Sequence, residues 1–471
     1  MALPAAVAVK DGDAACAAAF IAPACCGWIA SAVFWLKARR RAEEFDVRHA
    51  FGAVAGIWIA ICAFGSLPLW FSGAYPSLVD ALFESVSGFT TTGTSVCTDV
   101  EALPRAVNLW RCETHWLGGL GVIALAVALI PLLGVGGFRL IKAETTGPEK
   151  EKFTNFIANT AKTLWAIYIT LTAVQAILLR LCGLSAVDSL AHAFSTLGTG
   201  GFSTRNGSVG GFGLPAVEWI CTFFMLCASV NFAVYYRLVT GRFREVRRDS
   251  ELKAFLSIVA VAVTVAALAL MRGSPSFGQA LRSAAFQVAS ILSTTGFMTD
   301  DYLAWRPAAQ AVIFALFFIG GCSGSTAGGI KVVRWTVLAK QLKNEMRRLL
   351  HPHEVFTLKL NGAPGRDGMV PVVASFIFAY FIIVALASFA GALAGLDMFT
   401  ALTAALSMAG NIGPAFGSLG PTANCSALPA ALKMFYAFTM LAGRLEIYTL
   451  LILVGRLFRM PRGASGAFRL P

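Results

Sequence analysis

Long apolar stretches constrain this chain more than any other feature. Nine segments are apolar over roughly the ~20 residues that a helix needs to cross a lipid bilayer. They are Ala14–Leu36, Phe51–Phe71, Trp116–Phe138, Leu164–Leu181, Val217–Tyr236, Phe255–Met271, Ala308–Val333, Val370–Leu393 and Leu428–Phe458. Because lipid offers the backbone no hydrogen-bond partners, such segments cross as helices. The sequence therefore predicts an all-α polytopic membrane protein.

The composition agrees with a membrane location. Only 13% of the residues are charged, whereas soluble proteins average about 25%. The net charge of +13 would suggest a nucleic-acid partner in a soluble protein. Here the basic residues lie at the ends of the apolar segments, so we expect contact with membrane lipid and no nucleic-acid partner.

The distribution of Lys and Arg predicts the orientation. Most of the 38 basic residues lie in five segments, which are Lys37–Arg48, Arg139–Lys162, Arg237–Lys253, Lys331–Arg366 and Arg456–Arg469. Loops rich in Lys and Arg stay in the cytoplasm, which places the N-terminus outside and the C-terminus inside. Lys10, Asp11 and Asp13 argue against a tenth span in residues 1–14, and we expect no cleavable signal peptide.

One local pattern occurs four times along the chain. A Gly/Thr-rich turn follows a short apolar segment at Gly93, Gly201, Gly296 and Gly413. Six residues before each glycine stands a serine, at Ser87, Ser195, Ser290 and Ser407. Thirteen residues before stand Asp80, Asp188, Ser283 and Thr400, all residue types that favour the N-cap of a helix. The fixed offsets predict four repeats, in residues 49–150, 151–250, 251–366 and 367–471, after an extra helix in residues 1–48.

The short segment before each turn predicts a helix that enters the membrane and returns. Segments such as Asp80–Phe89 and Asp188–Leu197 would be ~15 Å long as helices, too short to cross. Non-helical backbone at that depth must line a water-filled path or be buried in protein. Exposed carbonyls and Thr hydroxyls there can replace the hydration shell of a cation. The alternative is four extracellular loops with incidental Gly and Thr.

The third returning span is interrupted by glycine. Residues Gly320–Gly329 contain five glycines and will not hold a regular helix. We expect a broken span with a loop that has few packing contacts and rearranges easily. The alternative is that the span ends at Gly320 and a cytoplasmic loop follows. In the last span, Arg444 is an ionisable residue at membrane depth, which indicates a function facing the pore or a structural tie between spans.

Six motifs resemble one known family. They are Ser87–Ser95, Ile130–Phe138, Thr160–Trp165, Thr199–Thr204, Gly320–Lys331 and Gly443–Thr449. From about Phe51 onward the chain resembles the Trk/Ktr/HKT superfamily of cation transporters, and most closely the TrkH-type membrane subunits of bacterial K⁺ uptake systems. These subunits usually have two spans before the first repeat, whereas one is found here.

The resemblance implies a fold and a function. Four membrane-helix/pore-loop/membrane-helix repeats would surround one pseudo-fourfold pore in the bacterial inner membrane. K⁺ would be transported and bound in the selectivity filter, with no organic cofactor. The protein would be a homodimer gated by a cytosolic nucleotide-binding regulatory ring of the TrkA type. In the family, serine at the first filter-glycine position accompanies Na⁺ permeation, so Gly93 favours K⁺.

The resemblance also assigns site residues. Four filter turns carry over to Thr91, Thr92 and Gly93; Thr199, Gly200 and Gly201; Thr294, Thr295 and Gly296; and Asn411, Ile412 and Gly413. An intramembrane gating loop carries over to Gly320–Gly329, and the pore arginine to Arg444. The gate residues are Gly320, Gly321, Ser323, Gly324, Ser325, Thr326, Gly328, Gly329 and Arg444.

Two other functions remain open from the sequence. A secondary transporter that couples K⁺ to H⁺ or Na⁺ would need a titratable group along the path, and Glu84, Asp188 and His192 are candidates. An enzyme would need a catalytic cluster, and the sequence shows no such motif, so we expect no enzymatic activity. The eleven cysteines show no metal-ligand spacing. Cys97, Cys112 and Cys425 fall on the predicted outer side and could pair in an oxidising compartment.

Overall fold

Helices make up nearly all the regular structure of this chain. A computed structural model describes residues 1–38, 47–132, 149–271, 276–351, 354, 356–361, 363–364, 368–445 and 447. Two helices precede the repeats, α1 (Ala2–Lys10) and α2 (Ala14–Ala38). The sequence did not predict α1, which is separated from α2 by a short turn and packs against it.

The first two repeats share one plan of long helix, short helix and returning helix. The first contains α3 (Val47–Phe71), α4 (Leu78–Phe89) and α5 (Arg105–Leu132). The second contains α6 (Glu149–Leu181), α7 (Ala186–Leu197), α8 (Pro215–Ser229), α9 (Phe232–Val239) and α10 (Phe243–Arg248).

The third and fourth repeats follow the same plan. The third contains α11 (Ser250–Leu270), α12 (Phe277–Leu292), α13 (Pro307–Leu316) and α14 (Val332–Leu350), then the antiparallel strands β1 (Lys359–Leu360) and β2 (Ala363–Pro364). The fourth contains α15 (Met369–Leu393), α16 (Met398–Gly410) and α17 (Ala430–Arg444). Short 3₁₀ helices at Ser208–Phe212, Tyr302–Ala304 and Gly417–Leu419 follow three of the turns.

Five described helices are long and apolar enough to cross a membrane unaided, namely α2, α3, α6, α11 and α15. The predicted span Val217–Tyr236 is not continuous, because α8 and α9 meet at a bend of 93°. The predicted span Ala308–Val333 is helical only to Leu316 before α14 begins. Residues 133–138 and 448–458 of two further predicted spans lie outside the described residues. The chain is therefore a multi-pass membrane protein, and two of its predicted spans are broken within the described residues.

The four short helices α4, α7, α12 and α16 form the buried centre, and we call them the pore helices. Their carboxyl-terminal halves are buried in all four cases. In three places a returning helix packs on the pore helix of the next repeat, α5 on α7, α8 on α12, and α17 on α4. The last of these contacts joins the fourth repeat to the first, which closes the arrangement.

The pore helices begin earlier than the sequence predicted. Their N-caps are Ser77, Ser185, Ser276 and Asp397, not Asp80, Asp188, Ser283 and Thr400. Three of the predicted caps stand three residues inside the helix. Ser185 shows why, since its Oγ accepts from the Asp188 N–H (3.0 Å) and donates to the Asp188 carboxylate (2.7 Å). The repeated offset therefore marks residues inside the helix, of which Asp188 binds the side chain of the true N-cap.

Candidate functional site

The four Gly/Thr-rich turns share one unusual backbone conformation. The residue two before each glycine is left-handed, with φ of 54° at Thr91, 55° at Thr199, 54° at Thr294 and 52° at Asn411. The glycines follow with φ of 80°, 86°, 79° and 104°. A left-handed residue other than glycine is uncommon and costs roughly 1–2 kcal/mol. Its recurrence at the same position in all four repeats indicates a geometry that the site requires.

Each of the four turns is tied to its pore helix by the same backbone hydrogen bond. The N–H groups of Thr92, Gly200, Thr295 and Ile412 donate, each at 2.9 Å, to the carbonyls of Ser87, Ser195, Ser290 and Ser407. The middle residue of every turn is thereby tied to its pore helix. Among the described residues, the carbonyls of those four middle residues accept no protein hydrogen bond. Buried carbonyls of this kind need another partner, such as water or a cation.

The glycines close the four turns into a ring. A Cβ added at Gly93 would come within 3.0 Å of the carbonyl oxygen of Gly200 in the next repeat. The same clash links Gly201 to Thr295, Gly296 to Ile412 and Gly413 back to Thr92. Each glycine therefore packs on the middle carbonyl of the neighbouring turn. Glycine is required here both for its positive φ and for this close approach.

A cavity lies on one side of the ring, and we call it the vestibule. Its volume is about 180 Å³, and all four turn glycines line it together with Arg111, Arg205 and Asn206. On its rim, Asn206 Nδ2 donates to Asp99 Oδ1 (2.8 Å), while Asn206 Oδ1 accepts from Val100 N (2.8 Å). The Asn206 hydrogen bond holds the pKa of Asp99 below its usual range.

Glu84 is an ion-paired residue of α4 that binds the segment following the first turn, and we call a pore-helix residue with this role a clamp. Its carboxylate accepts from Ser95 Oγ (2.8 Å), Val96 N (2.9 Å) and Arg111 Nε (2.8 Å). The side chains of Glu84 and Arg111 are at most 1% exposed. Arg111 also lies 4.3 Å from the Phe202 ring centroid of the second repeat. Both Glu84 oxygens thus accept hydrogen bonds from the segment that follows the first turn, which assigns this residue a structural role.

Equivalent clamps hold the second repeat. His192 Nε2 pairs with Ser203 Oγ (2.9 Å) and its Nδ1 with the Asp188 carbonyl (2.8 Å). The Asp188 carboxylate accepts from Thr204 Oγ1 (2.6 Å). The residues considered as candidates for proton coupling are therefore held by the protein itself.

In three repeats the clamp is a polar residue at the same position of the pore helix. Glu84, His192 and Gln287 each stand nine residues before the turn glycine, and Gln287 Nε2 donates to the Asp300 carbonyl (2.9 Å). In the fourth repeat the clamp is Thr403, whose Oγ1 accepts from Phe416 N (3.1 Å). Our sequence reasoning missed this role, although a polar residue at one offset in three repeats was a visible signal.

The intramembrane loop, Gly320–Gly329, lies against the ring on the side away from the vestibule. Gly328 N donates to Thr294 Oγ1 (2.6 Å), and Thr326 Oγ1 donates to the Leu197 carbonyl (2.9 Å) at the end of α7. A Cβ at Gly328 would clash with the Gly410 carbonyl. The loop thus contacts three of the four repeats beside their turns. Its burial favours a broken span over a solvated loop.

Our expectation that this loop has few packing contacts is wrong. Ser325, Thr326 and Ala327 are all 1% exposed or less. The loop ends bind each other, since Gly320 N donates to Ile330 O (2.7 Å) and Val332 N to Gly321 O (3.1 Å). Glycine serves here to allow close packing rather than looseness.

Arg444 joins the fourth repeat to this loop. Its Nη1 donates to the Thr326 carbonyl (2.7 Å) and its Nη2 to the Gly118 carbonyl (3.3 Å) of α5. It is buried, and it both ties spans together and stands beside the ring.

The cysteines do not pair, because all eleven, each within the described ranges, are free thiols.

Comparison with known proteins gives consistent matches. The family described as TrkH, cation transport protein, matches residues 18–465. The chain is 38% identical over 427 residues to the Trk system potassium uptake protein TrkH of Salmonella typhimurium, covering 89% of this chain and 88% of the relative. It is 37% identical over 404 residues to TrkI of Halomonas elongata, covering 85% and 82%. The crystal structure of the potassium transporter TrkH from Vibrio parahaemolyticus is similar with a TM-score of 0.87 and 34% identity, covering 97% of this chain and 95% of that one.

Proposed function

The chain belongs to the TrkH family of cation transport proteins, and we propose that it takes up K⁺ across the bacterial inner membrane. The observation that carries this proposal is the closed ring of four filter turns with unpaired middle carbonyls. Carbonyls arranged around one axis can replace the hydration shell of K⁺. The carboxyl ends of the four pore helices add their negative dipole ends near the same place.

The proposed path runs from the vestibule through the ring to the intramembrane loop. In this orientation the vestibule faces outward and the loop faces the cytoplasm, as the Lys and Arg distribution predicts. A membrane potential supplies about 2.3 kcal/mol per charge per 100 mV, which corresponds to roughly 40-fold accumulation of K⁺. Channel-like uptake therefore needs no coupled ion.

The proposed gate is the intramembrane loop together with Arg444. The loop lies against the ring where a cation would leave it. The N–H group of Gly328 donates a hydrogen bond to the hydroxyl of Thr294. Conduction requires the loop to move away from the ring. The Arg444 hydrogen bond to Thr326 holds the loop in place and also sets a positive charge beside the path.

The proposed assembly is a homodimer that docks a cytosolic nucleotide-binding ring. Support comes from α14 (Val332–Leu350), which exposes Lys343, Arg347 and Arg348 on the side of the loop. Replacing these three residues with Gln is expected to reduce co-purification of the ring from native membranes. A matched change of Arg105 and Arg205 to Gln, on the vestibule side, should leave co-purification unchanged. Isolation of the wild-type chain without any nucleotide-binding protein would contradict this assembly.

Growth of bacteria that lack their own K⁺ uptake tests the function. Expression of this chain together with its native regulatory subunit should restore growth at low K⁺. A strain that carries the regulatory subunit alone is the control. No growth despite normal amounts of the chain in the membrane would overturn the proposal.

A further inference from the structure

Glu251 is a buried carboxylate that binds the intramembrane loop from outside the filter. It lies in the first turn of α11 and is 9% exposed. Its Oε1 accepts from Ser323 N (2.6 Å) and Val333 N (3.2 Å), and its Oε2 accepts from Ser323 Oγ (2.8 Å). One side chain therefore joins the loop to the start of α14, the helix that follows it.

The start of α14 has a particular need for this carboxylate. Its N-cap, Lys331, makes no side-chain capping hydrogen bond, so the first N–H groups of the helix depend on other acceptors. A negative charge at a helix N-terminus also interacts favourably with the positive end of the helix dipole. Hydrogen bonds to an ionised acceptor are roughly twice as strong as neutral ones. Glu251 thus caps α14 from a different helix while holding Ser323.

A second contact links the same region to α9. Asp249, the N-cap of α11, accepts from Glu251 N (3.0 Å) and pairs with Arg237 of α9 (3.3 Å). The first residue of α9, Phe232, donates its N–H to the Gly324 carbonyl (3.0 Å) of the loop. The first half of the loop is therefore held by α9 and α11, and the second half by Arg444.

We propose that Glu251 is a positioning residue that keeps the intramembrane loop against the filter ring, acting through Ser323 and the start of α14. The inference rests on the proposed function, since it explains how the proposed gate stays closed. It also gives the gate a direct connection to α14, whose basic surface faces the cytoplasm in the proposed orientation. A displacement of α14 would pull on Glu251 and Ser323 together.

The test uses a cysteine that the loop already carries. Cys322 adjoins Ser323 and is 1% exposed, so release of the loop should expose its thiol. The full chain with Glu251→Ala is reconstituted and treated with a maleimide, and labelling of each cysteine is measured by peptide mass spectrometry. Cys112 and Cys221, which are buried elsewhere, report any general unfolding in the same sample. Radioactive Rb⁺ flux is measured in parallel, with competing K⁺ or Na⁺.

We expect Glu251→Ala to speed labelling of Cys322 and to raise basal flux by at least roughly tenfold, since loss of even one of its three hydrogen bonds to a charged group corresponds to about that ratio. Preference for K⁺ over Na⁺ should not change, because the filter carbonyls are untouched. Glu251→Gln keeps the size and one acceptor and should give an intermediate effect. Glu345→Gln, an exposed residue that pairs with Arg348 within α14, is the control and should behave as wild type.

Two outcomes would overturn the inference, and a third separates it from the proposed function. Wild-type labelling of Cys322 and wild-type flux in Glu251→Ala would show that the carboxylate does not hold the loop. Equal labelling of Cys112, Cys221 and Cys322 would show that Glu251 supports the whole fold instead. If the wild-type chain passes no cation while Cys322 still responds to Glu251→Ala, the proposed function fails and the anchoring role stands.

Discussion

At the scale of single residues, Gly93 carries two separate constraints. Its φ of 80° is unfavourable for any L side chain, and a Cβ would meet the backbone carbonyl of Gly200. A backbone carbonyl cannot move aside as the end of a flexible side chain can. A side chain at Gly93 must therefore displace the carbonyl that we propose binds K⁺.

We predict that Gly93→Ser lowers the preference for K⁺ over Na⁺ while the protein still folds. The matched control is Gly73→Ser, because Gly73 has a similar φ of 72° but has no atom within 4 Å of an added Cβ. Both changes should cost roughly 1–2 kcal/mol from the left-handed backbone. Permeability ratios from liposome flux distinguish the two variants. An unchanged ratio in Gly93→Ser would contradict the filter assignment.

The buried pair of Glu84 and Arg111 is expected to matter for stability. Removing one member of a buried ion pair leaves the other charge uncompensated and typically costs ~3–5 kcal/mol. Glu84→Gln should therefore lower the melting temperature of the purified protein and weaken the attachment of the segment at Ser95 and Val96. Thermal unfolding monitored by size-exclusion chromatography measures this. The control is Glu101→Gln, whose ion pair with Arg205 is half exposed and should leave stability unchanged.

The sequence predicted the positions of the four turns better than the contacts that support them. Fixed offsets found all four turns, because a positive φ and close packing leave glycine as the suitable residue. The partner of Glu84 could not be predicted, since Arg111 lies 27 residues away and nothing in the local pattern connects them. Three N-caps were misplaced by three residues and the fourth by seven, because residue types that favour an N-cap also stand inside these helices.

At the scale of elements, the intramembrane loop illustrates what composition cannot reveal. Five glycines correctly predicted that the helix breaks. They gave no sign that Thr326 would bind the Leu197 and Ala228 carbonyls or that Arg444 would bind Thr326. Those partners lie about a hundred residues away in the sequence, so only the three-dimensional arrangement defines the loop as a packed element.

We predict that deleting Gly324–Ala327 raises basal K⁺ flux and leaves the K⁺/Na⁺ preference nearly unchanged. The loop ends bind each other directly, so a shorter loop can close without moving α13 from α14. Arg444→Ala removes the hydrogen bond to Thr326 and should act in the same direction. Arg105→Ala, a change of an exposed residue on the vestibule side, serves as the control. Wild-type basal flux in the deletion, or lost discrimination, would show that the loop is not the gate.

The break between α8 and α9 was missed for a related reason. Residues 217–236 read as one apolar span, yet the helix stops at Ser229 and restarts after Asn231, whose Oδ1 caps α9 at Ala233 N (2.8 Å). The freed Ser229 carbonyl accepts from Cys322 N (2.9 Å). Asn231 was the available signal, but the loop that stabilises the break comes from another repeat.

At the scale of the whole molecule, four related repeats build one ring with unequal supports. The ring is closed by the same glycine-to-carbonyl contact at every junction. The clamps differ, being an ion pair at Glu84, a histidine at His192, an amide at Gln287 and a hydroxyl at Thr403. The repeats predicted the fourfold architecture from the sequence, whereas these differences depend on neighbours that the repeat pattern does not contain.

Tracer flux through the purified chain tests K⁺-selective uptake. Radioactive Rb⁺ uptake is measured in proteoliposomes at a fixed membrane potential, with unlabelled K⁺ or Na⁺ as competitor and with or without a pH gradient. We predict uptake above that of empty liposomes. Unlabelled K⁺ should suppress this uptake, whereas Na⁺ should not, and a pH gradient should not change it. Uptake that Na⁺ suppresses as well as K⁺ does, or that requires the pH gradient, would contradict a K⁺-selective path through the four-turn ring.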